Sequence, residues 1–505
     1  MVRAAVKAAK AALKKSPSKL ISKHEKIWKA YWLRSGLKID DELLQRTWYR
    51  GLYFLRCITK PGVQCPGLFA SLKNNTPAWH GDYHTNYNLQ QVFWAAYAAN
   101  QTELIEPYGR LIREYMPRGR WLAKQVYGMD GVFYPHVMFA YEPTSPETCK
   151  SRNGRQYIHH MCGLTLGVSG FTVQPVWWHY KYAPDKKFLK DTAYPMVREV
   201  AAFYVDFIEQ CQGDDKVLLG PTVSPEHHGW MPNLSRNYNC AFDIAMIHYT
   251  LNAAMEGANI LGRDQAFVKR CQAAIKRLPD YPLGGKNNSL VVDVKDADPI
   301  TYNIPVPATP VFPGDMVSFQ SPSEQQELFV RTIESLRLHG FNDMVMVAVS
   351  RARLSMDDTI DWLKNEVHIR TRPNGTITLN PLKPFSKYNN HGHYAEQFGT
   401  GIAVSEMLIQ SAGDIIRLFP AWPKDKKAEF DQLRTQGGFL VSTQHNSNGE
   451  IGPVRIQSTV GGTLRVLSPW KMIKANGNPQ KIDEDRIIRI ETRPGQMVVM
   501  TPGDA

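Results

Sequence analysis

Between residues 39 and 411, apolar side chains recur at three- and four-residue spacing in stretches separated by long polar loops. That period lets an α-helix turn one face inward. The clearest stretches are 89–100, 103–116, 188–211, 241–261, 264–278, 323–338, 343–354 and 398–411, and weaker ones at 41–57, 119–127, 170–182 and 359–367 bring the total near twelve. Twelve helices in one domain predict a toroid of paired helices. Past Leu418 the pattern changes. Pro420 and Pro423 stop the helix, and 438–443, 454–458, 463–467, 486–491 and 496–501 read as short strands between Gly, Asn and Pro turns. The expected division is a basic helical segment over 1–38, a helical domain over 39–415, and a small β-sandwich-like domain over 416–505.

A chain of 505 residues exceeds one core of ordinary size, which agrees with that division. Hydrophobic residues make up 43% and aromatic ones 11%, and such ring surface suits a sugar cleft and an ordinary core alike. The net charge of +13 invites a nucleic-acid reading, but residues 1–30 hold nine Lys or Arg against Glu25 alone, so they supply +8 and leave +5 for the rest. The body is mildly basic, and no nucleic-acid partner is expected. The Ala/Lys start reads as a solvated helix, with a polyanion-binding arm as the other reading. No apolar run reaches the ~20 residues of a membrane span, and no export signal opens the chain. Seven cysteines without a CxxC pair favour neither a zinc site nor a full disulfide framework. Free thiols are expected, with one bridge such as Cys57 to Cys65 as the alternative.

Candidate chemistry concentrates in three loops. Gly81-Asp-Tyr-His-Thr-Asn-Tyr-Asn-Leu-Gln90 packs two asparagines, a histidine and a carboxylate into ten residues. Ser224-Pro-Glu226 sits in a proline-bracketed loop beside Trp230, whose ring would desolvate Glu226 and raise its pKa; the alternative is that Glu226 caps a helix or pairs with a surface cation. Asn86 and Asn88 suit the holding of a water through their amides, or a helix cap. His84 suits a sugar hydroxyl, or a buried site satisfied by backbone. The third loop is His393-Tyr-Ala-Glu396-Gln-Phe-Gly399. No His/Asp/Glu set has ligand spacing, so neither metal nor cofactor is expected.

Trp79-His-Gly-Asp-Tyr-His-Thr-Asn-Tyr-Asn-Leu-Gln90, followed by Trp94, resembles the W-x-x-D-Y-H-T-N-I-N-L-Q-x-x-Y-W signature of glycoside hydrolase family 95, the inverting α-L-fucosidase and α-L-galactosidase family. Trp177-Trp-His-Tyr180 with Asp185, Ser224-Pro-Glu226, Glu406-Met-Leu-Ile-Gln-Ser411, Leu418-Phe-Pro-Ala-Trp-Pro423 and Gly437-Gly-Phe439 resemble further family segments in the same order. The resemblance implies a mainly α protein, an (α/α)6 barrel as catalytic domain followed by a C-terminal β-domain. The family's N-terminal β-sandwich is missing, as though the chain began at the helical linker with His24, Trp28 and Trp32 in its first helix; either the sandwich was lost or the sequence is a fragment. A fragment of a longer exported protein would belong in the periplasm or outside the cell.

By this resemblance Glu226 is the general acid, and Asn86 and Asn88 hold the attacking water. The family's base aspartate aligns with Ala395, so its neighbour Glu396 is expected to take over, directly or through Asn88, with Asp82 as a second carboxylate near the same loop. Sugar contacts are expected from His84, Asp82, Trp79, Trp94, His136, Trp177, His227, Trp230, Asn303 and His393. The family's histidine and arginine contacts fall on Tyr302-Asn303-Ile304 and are absent. The implied function is an inverting glycoside hydrolase that releases a terminal sugar, α-L-fucose or a relative such as L-galactose, from an oligo- or polysaccharide. A catalytically weakened carbohydrate-binding protein on the same barrel is the alternative.

Overall fold

The computed structural model describes residues 2–68, 78–139, 161–339, 342–373, 375–377 and 395–503. Thirteen helices of ten residues or more occur among them: α1 (Val2–Leu13), α2 (Pro17–Trp32), α3 (Glu42–Ile58), α4 (Asn88–Ala98), α5 (Glu106–Leu122), α6 (Val168–Tyr182), α7 (Tyr194–Gln210), α8 (Ala241–Leu261), α9 (Gln265–Arg277), α10 (Ser323–Ser335), α11 (Met344–Arg353), α12 (Thr359–Arg370) and α13 (Ala395–Leu408).

From α3 onward two helix types alternate, and the alternation is written in the sequence. Helix α3 buries Leu44, Thr47, Trp48, Gly51, Leu52 and Leu55, a single stripe at helical spacing that covers one neighbour layer. Helix α4 buries every residue from Asn88 to Ala98, as a helix surrounded by protein must. The stripe-bearing helices α3, α5, α7, α9, α10 and α12 form an outer layer. Helices α4, α6, α8, α11 and α13, with the short turn Val306–Ala308 in the sixth place, pack each on the next and close a ring. Glycines permit the closest approaches: a Cβ on Gly51 would sit 2.9 Å from Gln397 O, and one on Gly401 would sit 3.0 Å from Ala95 Cβ. This is an (α/α)6 barrel. Because outer helices return the chain each time, the connectors entering the inner helices all gather at one end.

The expected helix at 119–127 is not separate. Helix α5 runs to Leu122 and widens into a turn over Ala123–Tyr127, which ends at Gly128 in the left-handed region (φ 71°).

The C-terminal strands are β2 (Ala428–Thr435), β3 (Phe439–His445), β4 (Val454–Ser458), β5 (Gly462–Leu467), β6 (Ile473–Ala475), β7 (Asn478–Pro479), β8 (Ile487–Thr492) and β9 (Met497–Pro502). With β1 (Gly36–Ile39) they build a seven-stranded sheet in the order β1-β2-β3-β4-β9-β6-β7, and β5 pairs with β8 apart from it. Strand β1 pairs antiparallel with β2, Gly36 opposite Asp431 and Ile39 opposite Ala428, so the segment before the barrel supplies the sheet's edge.

Helix α1 is exposed throughout, and α2 buries only Tyr31, with Trp28 stacked on Tyr53 at 5.0 Å. The aromatic trio His24, Trp28 and Trp32 therefore lies in the second helix. Cys57 and Cys65 are both free thiols. Among the described residues no helix is long and apolar enough to cross a membrane.

Candidate active site

The connectors converge as that topology requires. Ahead of α4, Tyr83–His84 pairs antiparallel with Val137–Met138 from the connector to α6, and Thr85 N donates to His136 O at 2.8 Å. The pairing sets the His84 and His136 rings 4.8 Å apart, edge to face. Asp82 accepts from His84 Nδ1 at 2.6 Å and fixes that ring. Trp79, 42% exposed, meets His84 from the solvent side at 5.9 Å.

Glu226 arrives on the connector to α8, which polar contacts pin at both ends. Thr222 Oγ1 donates to Asp243 Oδ2 at 2.6 Å, and Gly167 N donates to the other Asp243 oxygen at 2.6 Å. Burial pushes the Asp243 carboxyl up to about 7. Ser224 Oγ donates to Asp293 Oδ2 at 3.1 Å. Gly220 opens the loop at φ 149°, where a Cβ would lie 2.5 Å from Asn237 O; only glycine fits there.

So held, the Glu226 side chain is 28% exposed, and polar groups surround it. Asn86 Nδ2 donates to Oε1 at 3.1 Å, Asn303 Nδ2 donates to Oε2 at 2.7 Å, and His136 Nε2 lies 3.2 Å from Oε1. Burial alone would push the carboxyl up. The hydrogen bond and charge of His136, the charge of His84 and the Asn86 donor outweigh it, and hold Glu226 well below the usual carboxylate range. The expected upward shift from Trp230 is not found: that ring is 43% exposed, and donors rather than rings line the carboxylate. No helix follows Glu226 directly, and its partners are amides and histidine rather than a surface cation, so the capping and ion-pair alternatives fall away.

Asn88 is the first residue of α4 and caps nothing; its Nδ2 donates to Asn342 Oδ1 at 2.9 Å. Asn342 Nδ2 in turn donates to Asn303 Oδ1 at 2.9 Å. Sequence reasoning missed Asn342. The one signal was a polar Asn342-Asp343 pair directly ahead of the apolar run Met344-Val-Met-Val-Ala-Val349, which parallels Asn86 and Asn88 ahead of α4.

Several expected roles need correction. Glu396, on the first turn of α13, is 1% exposed and accepts from Tyr87 OH at 3.2 Å. Burial and the neighbouring Asp343 charge push its carboxyl up to about 8. No described hydrogen bond joins it to Asn86 or Asn88, whose Nδ2 groups donate to Glu226 and Asn342 respectively. Trp94 is fully buried among Tyr87, Phe171 and Phe312, and Trp177 is buried against Tyr180, so both belong to the barrel core and not to a sugar surface. His227 is turned inward, where its Nε2 accepts from Asn303 N at 3.0 Å and so positions Asn303 instead of facing solvent. Asp82 is buried behind His84 and acts through it. His393 lies outside the described residues. Among those described, His84, His136 and Glu226 each place one donor atom within 4.8 Å of the other two, a set that could hold a divalent cation although sequence spacing gave no hint of it.

An inner helix ring whose entry connectors gather around one carboxylate and its amide cluster is a six-hairpin barrel with a candidate site at one end. The same fold is found in solved structures. "Putative kojibiose phosphorylase from human microbiome" superposes with TM-score 0.60 at 12% identity over 98% of this chain and 72% of that one, and a GH78 family rhamnosidase of Bacillus sp. GL1 with TM-score 0.51 at 12% identity over 81% and 40%. Residues 2–298 match the Glycosyl hydrolase family 95 catalytic domain, and the chain belongs to that family. Alpha-L-fucosidase 2 of Arabidopsis thaliana is 27% identical over 80% of this chain and 48% of its own length, so the chain spans about half of that relative.

Proposed function

We propose that the chain is an inverting glycoside hydrolase acting on a terminal α-L-fucosyl or related residue of an oligo- or polysaccharide. Glu226 delivers a proton to the leaving oxygen as the glycosidic bond breaks, and a water oriented by Asn86 and Asn88 bonds to the anomeric carbon from the opposite face. The proton that this water sheds passes to bulk water, since the two amides orient it without acting as bases. The observation that carries this reading is the ring of donors on Glu226, one amide on each carboxylate oxygen with His136 and His84 beside it, at the gathered end of the barrel. The family and the fucosidase relative support the substrate class.

An acid must hold a proton when substrate is bound, yet the free pocket keeps Glu226 ionised. Substrate resolves the conflict. A sugar seated over the open part of the side chain removes its water, and desolvation favours the protonated carboxyl. His84, fixed by Asp82, and Trp79 form the entrance that such a sugar would touch.

The second reading, a carbohydrate-binding protein with weakened turnover, is favoured by one observation: Glu396 accepts from Tyr87, and no described hydrogen bond joins it to Asn86 or Asn88. One experiment separates the two. Incubation with fucosylated and galactosylated oligosaccharides, followed by proton NMR, is expected to show free sugar appearing first as the β-anomer, and none from Glu226→Gln. The α-anomer first would contradict inversion, and binding without release would support the second reading.

A further inference from the structure

Three hydrogen bonds connect Asn88 to Glu226 through two asparagines on different connectors: Asn88 Nδ2 to Asn342 Oδ1, Asn342 Nδ2 to Asn303 Oδ1, and Asn303 Nδ2 to Glu226 Oε2. Their direction follows from the carboxylate. An ionised carboxylate only accepts, so Asn303 must turn its N–H toward Glu226 and its carbonyl toward Asn342. It keeps that direction when Glu226 takes its proton on Oε1, because Oε2 is then a carbonyl oxygen and still only accepts. A carbonyl only accepts as well, so Asn342 must donate to Asn303 and keep its own carbonyl for Asn88. Asn88 is thereby left with its carbonyl oxygen for the site. Asn86 reaches the same state in one step, because its Nδ2 is on Glu226 and its buried Oδ1 has no partner among the described residues.

We propose that Asn342 and Asn303 are positioning residues that pass the acceptor character of Glu226 Oε2 to Asn88, so that Asn86 and Asn88 both offer carbonyl oxygens to the hydrogens of one water. A water held by its two hydrogens has its lone pairs free for the anomeric carbon. A flipped Asn88 would offer N–H, and the water's lone pair would point back into the protein. This inference rests on the proposed roles of Glu226, Asn86 and Asn88 and adds Asn342, which orients Asn88 through a hydrogen bond and is not a base. The charged and titratable groups facing the chain of amides are His136, His84 and the Cys162 thiol beside Glu226, His227 with Asp293 behind Asn303, and Asp343 with Arg370 next to Asn342.

The test compares Asn342→Leu and Asn342→Asp with the unaltered chain and Glu226→Gln, using α-L-fucosyl and α-L-galactosyl disaccharides, whose departing oxygen needs an acid, over a pH series. Asn342→Leu removes the acceptor for Asn88, and kcat is expected to fall about 10- to 100-fold with KM little changed, the scale of a misoriented reactant. Asn342→Asp still accepts from Asn88 but cannot donate to Asn303. Asn303 then turns its carbonyl toward Glu226, which makes that carboxyl easier to protonate, and the basic limb of the rate profile moves up by about one pH unit. A merely structural role would lower the melting temperature and leave that limb in place. If both variants keep the unaltered kcat and pH profile while Glu226→Gln is inactive, the relay is wrong and the acid assignment stands. If the unaltered chain does not turn over α-L-fucosyl or α-L-galactosyl disaccharides, or Glu226→Gln is as active on them, the reading of the site fails and the relay with it.

Discussion

Replacing Glu396 by glutamine separates its structural effect from a catalytic one. The carboxyl is 1% exposed and is pushed up to about 8 from an ordinary 4.5, first by burial and then by Asp343, against the opposing pull of Arg370 and Tyr87. A carboxyl whose folded pKa lies above its unfolded pKa favours the fold when protonated. Its full benefit is present below about pH 4.5, and it is lost as pH rises through about 8. The gap of roughly 3.5 pH units, at about 1.4 kcal/mol each, sets an upper limit near 5 kcal/mol on the penalty above pH 8. Glutamine matches the neutral carboxyl in shape and has no charge to bury. Urea unfolding at pH 5 and pH 9 is therefore expected to show Glu396→Gln close to the unaltered protein at pH 5 and more stable by ~2–5 kcal/mol at pH 9. Turnover is expected to stay within about tenfold, since no described hydrogen bond joins Glu396 to Asn86 or Asn88. A variant destabilised equally at both pH values would refute the burial argument. A loss of turnover on the ~10²–10⁴-fold scale of a general base would refute the seating of Glu396 outside the reacting groups.

Trp94→Ala removes a ring enclosed by Tyr87, Phe171 and Phe312 and is expected to cost about 3–5 kcal/mol in unfolding while leaving KM of the folded fraction unchanged, which thermal melts and initial rates check together. Gly220→Ala adds a Cβ against Asn237 O at φ 149°, so the Glu226 loop must shift; kcat/KM is expected to fall at least ~10-fold with little loss of helical circular dichroism. His136→Gln removes the hydrogen bond and charge that hold Glu226 low, so the carboxyl moves up and the basic limb of the kcat profile follows it to higher pH.

The barrel was readable because burial dictates composition. An inner helix such as Ala241–Leu261 must be apolar almost all round, and the expected and observed bounds coincide. The same logic explains two errors. Trp94 and Trp177 looked like sugar platforms by residue type, yet each sits within a helix whose other faces are also buried, and there a ring is core. Strand β2 was missed because Ala-Glu-Phe-Asp-Gln-Leu-Arg-Thr435 breaks its alternation at a bulge between Phe430 and Leu433, and because its partner β1 lies almost 400 residues earlier. In the site, Glu226, Asn86 and Asn88 could be found from short motifs, whereas the amide chain could not. Asn342 and Asn88 are 254 positions apart and meet only because inner helices begin at one end. The ionisation of Glu226 was misjudged for the same reason: Trp230 is near it in sequence, but His136 and Asn303 are near it in space.

The central claim is that Glu226 gives the leaving group its proton, and leaving-group dependence tests it most directly. An acid matters when the departing oxygen is basic and hardly at all when it leaves as a stable anion. With Glu226→Gln, kcat/KM on a fucosyl disaccharide is expected to fall by about 10³-fold or more, while that on a 2,4-dinitrophenyl fucoside stays within about tenfold of the unaltered chain. Equal losses on both substrates, or none on the disaccharide, would contradict the account.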